Sequence, residues 1–393
     1  MTNKVNIKIL FLLAAMHFIN DTLQSVIAAS YPLLKDELSL DFAEIGLITL
    51  CYQLFASILQ PIFGLLFDKR ASSRALMFGM LATCAGIIFF ATLNTFHGIL
   101  FAVSLFGIGS SIFHPEASRF VHLASNGKRG LAQSFFQVGG NLGGAMGPLF
   151  IAIIISTHGR IDILYCILLI VIALVIISYL RKWIILIPKN LRTSGLTKAH
   201  CNPLSHSKTI RTIAVLLILI FSKYVYMESI RSYYTFYLID NFGMSISASQ
   251  IALFVFLFAT AIGTFIGGPI GDKVGHKAII WISILGTSPF ALLMPYADLN
   301  FTLVLSFCSG LILSSAFPAI IVYAQELLPH KLGLVSGLFF GFAFGVAGLA
   351  SAILGYFIDI YGLNAVYSFC SFMPLLGLTA WFLPNLSKKQ NLK

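Results

Sequence analysis

The chain has 393 residues, of which 58% are hydrophobic and only 10% are charged. A soluble domain needs a far larger charged fraction to cover its surface, so the composition excludes a soluble fold. The net charge of +11 does not indicate a nucleic acid partner, because all but four of the 25 Lys and Arg lie in or beside alternate loops and tails. The four exceptions are Lys35, Arg160, Lys223 and Arg231.

Twelve apolar stretches are each long enough to cross a bilayer core of roughly 30 Å as a helix. We number them as spans 1 to 12 and predict them at 8–34, 42–67, 75–94, 97–119, 130–156, 162–186, 210–239, 247–270, 278–296, 299–325, 332–357 and 363–384. The placement of Lys and Arg predicts that both termini face the cytoplasm. We expect span 1 to be an uncleaved helix, because no convincing signal-peptide cleavage site follows it.

A polar, basic stretch between spans 6 and 7 divides the chain into similar halves. The sequence "FHP" in span 4 recurs as "FP" in span 10, and "GLAQSFF" in span 5 recurs as "GLVSGLFF" in span 11, both at an offset of 203 residues. We therefore predict an all-α membrane protein with twelve transmembrane helices in two pseudo-symmetric six-helix bundles, an architecture typical of transporters. The bundles are placed at 1–187 and 210–393, with a cytoplasmic linker at 188–209.

Span 1 carries the polar stretch "HFINDTLQS" near its middle. On a helix, His17, Asp21 and Gln24 share one face, with Asn20 beside them. A charge that faces lipid costs roughly 2.5–3.5 kcal/mol, so this face must point into the bundle or a wet cavity. An aspartate beside a histidine at this depth indicates a proton or substrate path. The alternative is a polar cluster that only holds helices together.

Span 4 ends with a second group of ionisable residues, His114, Glu116 and Arg119. Glu116 and Arg119 are three residues apart and can pair. We expect Glu116 to alternate between Arg119 and a proton, and a static salt bridge is the alternative. His114 and Glu116 also raise the question of a metal site, but no partner ligand stands at a suitable spacing in the sequence. We predict neither a metal nor another cofactor.

Span 7 contains two cations among several tyrosines. Tyr224, Glu228 and Arg231 share one helical face, and Lys223 lies on the adjacent strip. Two cations and phenol groups suit an anionic or amphipathic ligand. The alternative is a Glu228–Arg231 pair with a belt of interfacial tyrosines.

These patterns give two sets of candidate residues. The predicted proton-coupling residues are His17, Asp21, His114 and Glu116. The predicted substrate-binding residues are Asn20, Gln24, Gln53, Arg119, Gln137, Lys223, Tyr224, Glu228 and Arg231.

Two loops and one helix carry glycine motifs. The loop after span 2 contains Gly64, Asp68, Lys69 and Arg70, and the loop after span 8 contains Gly268, Asp272, Lys273 and Gly275. Both resemble the signature loop of the major facilitator superfamily, although Ala71 replaces a glycine in the first copy, and the resemblance implies a conformational latch. In span 5, Gly143, Gly147 and Pro148 resemble part of an antiporter motif of that superfamily. Plain close packing of glycines is the alternative for span 5.

Several long stretches together resemble one group in the superfamily, the fosmidomycin resistance proteins. They are "HFINDTLQS", "YPLL", "FHPEASR", "GLAQSFFQVGGN", "FSKYVYMESIRSYYTFYL", "GGPIGDKVGHK" and "VYAQELLP". The resemblance implies a bacterial inner-membrane protein that exchanges protons for an antibiotic. Fosmidomycin is a small phosphonate hydroxamate and therefore anionic, which agrees with Lys223 and Arg231.

The sequence therefore predicts a monomeric, proton-coupled efflux antiporter that works by alternating access and is not an enzyme. An uptake symporter or organic anion exchanger on the same fold remains an alternative, because the sequence does not show the direction of transport. A membrane enzyme using His114 and Glu116 lacks a nucleophile–base pair. A channel is disfavoured by the duplicated halves.

Overall fold

The computed structural model of the chain describes residues 6–67, 73–125, 129–155, 159–186, 204–328 and 332–385. Within these ranges all regular secondary structure is helical. Eleven helical segments of the described residues are long and apolar enough to cross a membrane. Span 5 is not among these eleven, because its glycines and amide side chains lower its hydropathy.

The helices follow the predicted order. In the first half they cover Ile7–Ala29 and Tyr31–Leu38 (span 1), Phe42–Phe67 (span 2), Ser73–Thr92 (span 3), Phe96–Ala124 (span 4), Arg129–Phe150 and Ile151–Ile155 (span 5), and Arg160–Cys166 and Ile167–Leu186 (span 6). In the second half they cover His206–Phe242 (span 7), Ile246–Val274 (span 8), His276–Leu293 and Met294–Tyr296 (span 9), Leu299–Leu313 and Ala316–Leu327 (span 10), Leu332–Tyr361 (span 11), and Leu363–Ser371 and Met373–Phe382 (span 12).

The prediction of a twelve-helix, two-bundle membrane fold is confirmed. Most of the predicted linker lies outside the described residues, and residues 206–209 at its end belong to the helix of span 7.

Span 10 was predicted as one helix, but the structure breaks it between Leu313 and Ala316. Pro318 has no backbone N–H, so the carbonyl of Ser314, four residues earlier, has no helical donor. Span 5 also departs from α-helical geometry after Pro148, since its last described turn, Ile151–Ile155, is a π-helix.

Span 5 lies directly against span 1 through its glycines. A Cβ at Gly139 would come within 2.9 Å of the Ala14 carbonyl carbon, and one at Gly143 within 2.8 Å of the Phe18 backbone. Gly147 approaches span 1 equally closely one turn further on. Without side chains at these positions the two backbones can touch, which fixes the polar face of span 1 against span 5.

Arg160 is one of the four cations that do not lie in the alternate loops and tails. Its hydrogen bonds connect spans 1, 3 and 6. Its guanidinium donates to both carboxylate oxygens of Glu37, at 2.9 and 3.0 Å, and to the backbone carbonyls of Phe90 and Leu93. Because the side chain is buried and its donors are used, this cation has a structural role at the end of spans 1, 3 and 6.

The two halves meet through spans 2 and 11 and through spans 5 and 8. We call the end of the bundle farther from both chain termini the distal end. There Asp359 of span 11 accepts hydrogen bonds from the backbone N–H groups of Phe42 and Ala43 at the start of span 2, at 3.1 and 2.8 Å. Gln250 of span 8 donates to the Ala29 carbonyl at 2.7 Å. These bonds close the distal end.

One face of span 11 shows that the halves separate towards the other end. Gly355, Gly348, Gly345 and Gly341 lie on this face at helical spacing. A Cβ at Gly355 would meet the Phe42 backbone, and one at Gly348 would lie 2.7 Å from Gln53 Cβ. At Gly345 and Gly341 such a Cβ would have no atom of a described residue within 4 Å. The space between spans 2 and 11 therefore opens from the middle of the bundle towards the end that holds the termini.

Candidate functional site

Asp21 of span 1 lies between two imidazole rings near the middle of the first bundle. His17 Nε2, one turn earlier on the same helix, is 3.2 Å from Asp21 Oδ2. His114 Nε2, from span 4, is 3.5 Å from Asp21 Oδ1. We call these three residues the His–Asp–His triad. Three of the four predicted proton-coupling residues are thus brought into direct contact.

The other nitrogen of each ring faces a backbone carbonyl. His17 Nδ1 lies 2.9 Å from the Phe136 oxygen, and His114 Nδ1 lies 3.0 Å from the Ser110 oxygen. A carbonyl can only accept, which favours a hydrogen on each Nδ1 and, in the neutral ring, a lone pair on each Nε2. The Ser110 hydroxyl, 3.1 Å from His114 Nδ1, can accept the same hydrogen. Two lone pairs would then face one carboxylate. Each contact is attractive only when a proton lies between the nitrogen and the oxygen.

The triad is closed on one side and open on the other. His17 is 1% exposed and stacks on the Phe136 ring at a centroid distance of 4.0 Å. The side chains of His114 and Asp21 are 14% and 22% exposed. Gly140 of span 5 leaves the room for this arrangement, since a Cβ there would lie 2.8 Å from Asp21 Oδ2. Protons can therefore reach the triad from the His114 side.

The triad also has a donor set that could hold a metal ion. Its donor atoms lie within 4.8 Å of one another. Sequence spacing offered no partner ligand for His114, but span 1 supplies two. The spacing alone is compatible with a divalent ion as well as with shared protons. Both nitrogen–oxygen distances also lie within the range of ion pairs, in which a proton lies between the ring and the carboxylate.

Glu116 forms the predicted pair with Arg119, with Nη1 at 3.9 Å from Oε2. Glu116 is buried, and it lies about 200° around the helix from His114. The fourth predicted proton-coupling residue therefore faces a different side of span 4 from the triad.

Arg231 of span 7 reaches towards span 5. Its Nη2 lies 4.0 Å from the position of a Cβ on Gly144. Among the described residues, its guanidinium has no hydrogen-bond acceptor and no carboxylate oxygen within 4.0 Å. Gly144 follows Gly140 by one helical turn, so the cation and the triad occupy consecutive turns of the same face of span 5.

Two amides of span 1 have unused polar atoms beside the triad. Gln24 Oε1 accepts from the Tyr52 hydroxyl, while its Nε2 is buried with no partner among the described residues. Asn20 Nδ2 donates to Asp21 Oδ1 at 2.9 Å, while its buried Oδ1 also has no partner in the described part of the chain. Buried polar atoms are normally paired, so these two indicate a place where a ligand or water binds.

Lys223 was predicted to bind substrate, and the structure places it elsewhere. It is 5% exposed, and its Nζ donates to the Ser314 carbonyl at 3.4 Å. This is the carbonyl that Pro318 leaves without a donor. The ammonium also lies 5.6 Å from the Phe317 ring centroid. Lys223 therefore supports the break in span 10, and the reason is that the orphan carbonyl needs a donor.

The other predicted substrate-binding residues are dispersed. Glu228 is buried and accepts from Ser232 at 2.7 Å. Gln53 is buried against Gly348, where the two halves touch, rather than in the open space. Gln137 donates to Asn141 along span 5 at 3.5 Å. Tyr224 packs edge-on against Phe317 at 5.5 Å.

Most side chains of the predicted gating loops lie outside the part of the chain that the structure describes. Asp68, Lys69 and Arg70 lie outside the described residues, as do the side-chain environments of Asp272 and Lys273 and the surroundings of Gly64 and Gly268. Gly275 lies between spans 8 and 9 with a φ of +94°, a backbone conformation that glycine favours. Gly143 and Gly147 pack on span 1, and Pro148 precedes the π-helical turn.

Sequence reasoning missed several groups that build the site. They are Ser110, the carbonyl of Phe136, Gly140, Gly144 and Asp359. Ser110 stands one helical turn before His114, a spacing that a search for histidine partners could have found. The carbonyl of Phe136 gave no signal, because every residue has one.

The internal repeat relates the triad to an aromatic pair. Adding the repeat offset of 203 to Asp21 and His114 gives Tyr224 and Phe317. Asp21 contacts His114 in the first half, and Tyr224 contacts Phe317 in the second. Equivalent positions are thus ionisable in one half and aromatic in the other.

Comparisons with known proteins agree with this architecture. The model of the Major Facilitator Superfamily matches residues 13–240 and 216–393. The chain is 49% identical to the fosmidomycin resistance protein of Escherichia coli (strain K12) over 378 residues, which cover 96% of this chain and 93% of that protein. The chain belongs to the fosmidomycin resistance family of the major facilitator superfamily.

A second relative and two solved structures show the same fold. The uncharacterised MFS-type transporter YfnC of Bacillus subtilis (strain 168) is 38% identical, covering 97% of this chain and 93% of that protein. A bacterial homologue of the human lysosomal transporter Spinster has a TM-score of 0.75 at 15% identity, covering 98% of this chain and 95% of that one. The nucleoside transporter NupG has a TM-score of 0.73 at 12% identity, covering 95% and 98%. The protein is a multi-pass membrane transporter and not an enzyme.

Proposed function

We propose that this transporter is a proton-coupled efflux antiporter for a small anionic drug such as fosmidomycin. It works as a monomer in a bacterial inner membrane, with both termini in the cytoplasm. The observation that carries the proposal is the His–Asp–His triad, whose contacts are attractive only with shared protons. It lies one helical turn from the guanidinium of Arg231, which has no hydrogen-bond acceptor among the described residues.

The substrate side of the proposal rests on Arg231 and Gln24. A guanidinium without a carboxylate partner is suited to a planar anion or a phosphonate, which it can bind through two hydrogen bonds. The unused Nε2 of Gln24 adds a donor. The name of the Escherichia coli relative supplies the candidate drug.

The proton side rests on the triad. When protons occupy both nitrogen–oxygen contacts, the imidazoles and Asp21 hold together. When the protons leave, each Nε2 and the carboxylate present lone pairs to the cavity and repel one another. Substrate and protons therefore favour different states of this site, which is the requirement for exchange.

The direction of opening supports alternating access. The structure is closed at the distal end by Asp359 and open towards the end that holds the termini. With the termini in the cytoplasm, this cavity faces the cell interior and receives drug from there. Rocking of the two bundles would open the distal end and release the drug outside.

The test is uptake of labelled fosmidomycin into proteoliposomes under imposed pH gradients. Antiport predicts accumulation when the vesicle interior is more acidic than the medium, because outward proton flow drives the drug in. Arg231→Met should abolish this accumulation. Equal drug accumulation under the two opposite pH gradients would contradict proton coupling.

An uptake symporter is a second candidate that one observation favours. The protonated triad and Arg231 are both positive, and a positive cavity attracts an anion. Symport predicts accumulation when the medium, rather than the vesicle interior, is acidic. The same experiment therefore separates the two functions.

A further inference from the structure

The charge of the cavity poses a problem for any exchange of protons against an anion. Each proton that joins the triad adds one positive charge near the bound anion. Opposite charges attract, so protonation by itself strengthens anion binding. By linkage, an anion would then strengthen proton binding, which is the coupling of a symporter. Antiport needs a second interaction of opposite sign.

Competition for lone pairs at the triad provides that interaction. The Nδ1 atoms are held by the carbonyls of Phe136 and Ser110, so both rings direct Nε2 at Asp21. Without its protons, the triad offers only acceptors: two ring nitrogens and the carboxylate oxygens. With its protons, these acceptors are occupied. A ligand group that donates hydrogen bonds can therefore bind the triad only after protons have left.

The surroundings define which groups can take part. The Tyr52 hydroxyl of span 2 donates to Gln24 Oε1. Span 5 contacts the triad through the Phe136 carbonyl and Gly140. Asn20 already donates to Asp21 Oδ1. From span 7, Arg231 lies beside Gly144. Four residues of helix separate Gly140 from Gly144, which is a rise of about 6 Å along span 5.

We infer that the substrates of this site are anions that also carry a hydrogen-bond donor at their other end. The anionic group pairs with Arg231 and Gln24 Nε2. The donor, a hydroxyl, amide or ammonium group, takes the lone pairs of His114 Nε2 and Asp21. The displaced protons pass to cavity water, and no bond of the substrate breaks.

This inference rests on the proposed function and adds a requirement to it. The anionic end supplies affinity, and the donor end supplies the exchange with protons. An anion without the donor binds Arg231 but leaves the triad protonated. Such a ligand is an inhibitor or a cotransported ion rather than an exchanged substrate.

The test compares fosmidomycin with its O-methyl ether, which keeps the phosphonate and loses the hydroxamate O–H. The dissociation constant of each ligand is measured on the purified full-length protein between pH 5.5 and 7.5. If one proton is displaced, the dissociation constant of fosmidomycin rises about tenfold per pH unit of acidification relative to that of the ether. The shared phosphonate titrates in both ligands and cancels in this difference.

His114→Gln is the matched variant. It should remove the difference in pH slope between the two ligands. Gel filtration of the purified variant shows that it is folded, and binding of the ether to it shows that the Arg231 end of the site is intact. A full slope difference in His114→Gln would contradict the role given to this ring.

Equal slopes for the two ligands on the wild-type protein would overturn the donor requirement. That result would leave antiport itself to the pH-gradient experiment. Accumulation of fosmidomycin driven by an acidic medium would instead overturn the proposed direction of coupling. The two failures are therefore distinguishable.

Discussion

At the scale of single residues, the polar face of span 1 is defined by what its neighbours leave open. Gly140 and Gly144 occupy the same face of span 5, but they meet different groups. At Gly140 a Cβ would lie 2.8 Å from Asp21 Oδ2, while at Gly144 it would lie 4.0 Å from Arg231 Nη2. The first distance is a clash and the second is an ordinary contact.

Gly140→Ala should therefore disable proton coupling, whereas Gly144→Ala should be tolerated. We expect the first variant to lower pH-driven fosmidomycin transport at least tenfold, because the added methyl group displaces Asp21 and the His17 ring. The second should stay within about threefold of wild type. Transport assays in proteoliposomes, with the folded yield of each variant checked by gel filtration, measure both. Equal losses in the two variants would contradict the assigned positions.

The two cations of span 7 should behave differently on substitution. The guanidinium of Arg231 has no hydrogen-bond acceptor among the described residues, whereas Lys223 is buried against Ser314. Removing one partner of a charged, desolvated pair costs roughly 2–5 kcal/mol, so Arg231→Met should weaken fosmidomycin binding by about 30-fold or more. Lys223→Met should change the dissociation constant less than about threefold. Binding measured by isothermal titration would refute this assignment if Lys223→Met were the more damaging change.

At the scale of elements, helical periodicity was enough to place the spans and to put His17 and Asp21 on one face. Periodicity describes one helix at a time, so it could not tell that His114 of span 4 completes the triad. The sequence also assigned Lys223 to substrate binding, because two cations among tyrosines suit an anionic ligand. The partner of Lys223 is a carbonyl exposed by Pro318, which becomes visible only when spans 7 and 10 pack together.

A substitution at the break in span 10 tests the hydrogen bond between Lys223 and the Ser314 carbonyl. Pro318→Ala restores the N–H that the Ser314 carbonyl lacks, so Lys223 is no longer its only donor. Lys223→Met alone should leave a buried carbonyl unpaired, at a cost of about 1–3 kcal/mol. In the Pro318→Ala background the same change should cost measurably less. A double-mutant cycle on unfolding free energy in detergent checks this, and strict additivity would contradict the pairing.

At the scale of the whole molecule, the state of the transporter depends on a few bonds between the halves. Asp359 places a carboxylate at the first turn of span 2, where backbone N–H groups and the helix dipole favour a negative charge. It lies at the distal end, whereas Gly275 of the second signature loop, which was predicted to act as a latch, lies at the other end of span 8. The molecule therefore carries a distal latch that sequence motifs did not indicate.

Asp359→Ala should shift the equilibrium towards a distal-open state. Loss of a capping carboxylate costs roughly 0.5–2 kcal/mol, which is a shift of about two- to thirtyfold. The reporter is the alkylation rate of Ala352→Cys, which faces Gly46 of span 2, in a background without the native cysteines. Gly341→Cys, on the open part of the same face, is the control and should react rapidly before the change. An unchanged rate at Ala352→Cys would contradict the latch.

Exchange of protons for substrate at the His–Asp–His triad can be observed directly as pH inside proteoliposomes. Fosmidomycin is added outside vesicles that contain a pH-sensitive dye, with wild type, Asp21→Asn and protein-free vesicles side by side. Antiport through Asp21 predicts that the wild-type interior becomes alkaline as drug enters, with no change in the variant or the empty vesicles. An interior that becomes acidic, or an equal alkaline shift in Asp21→Asn, would contradict it.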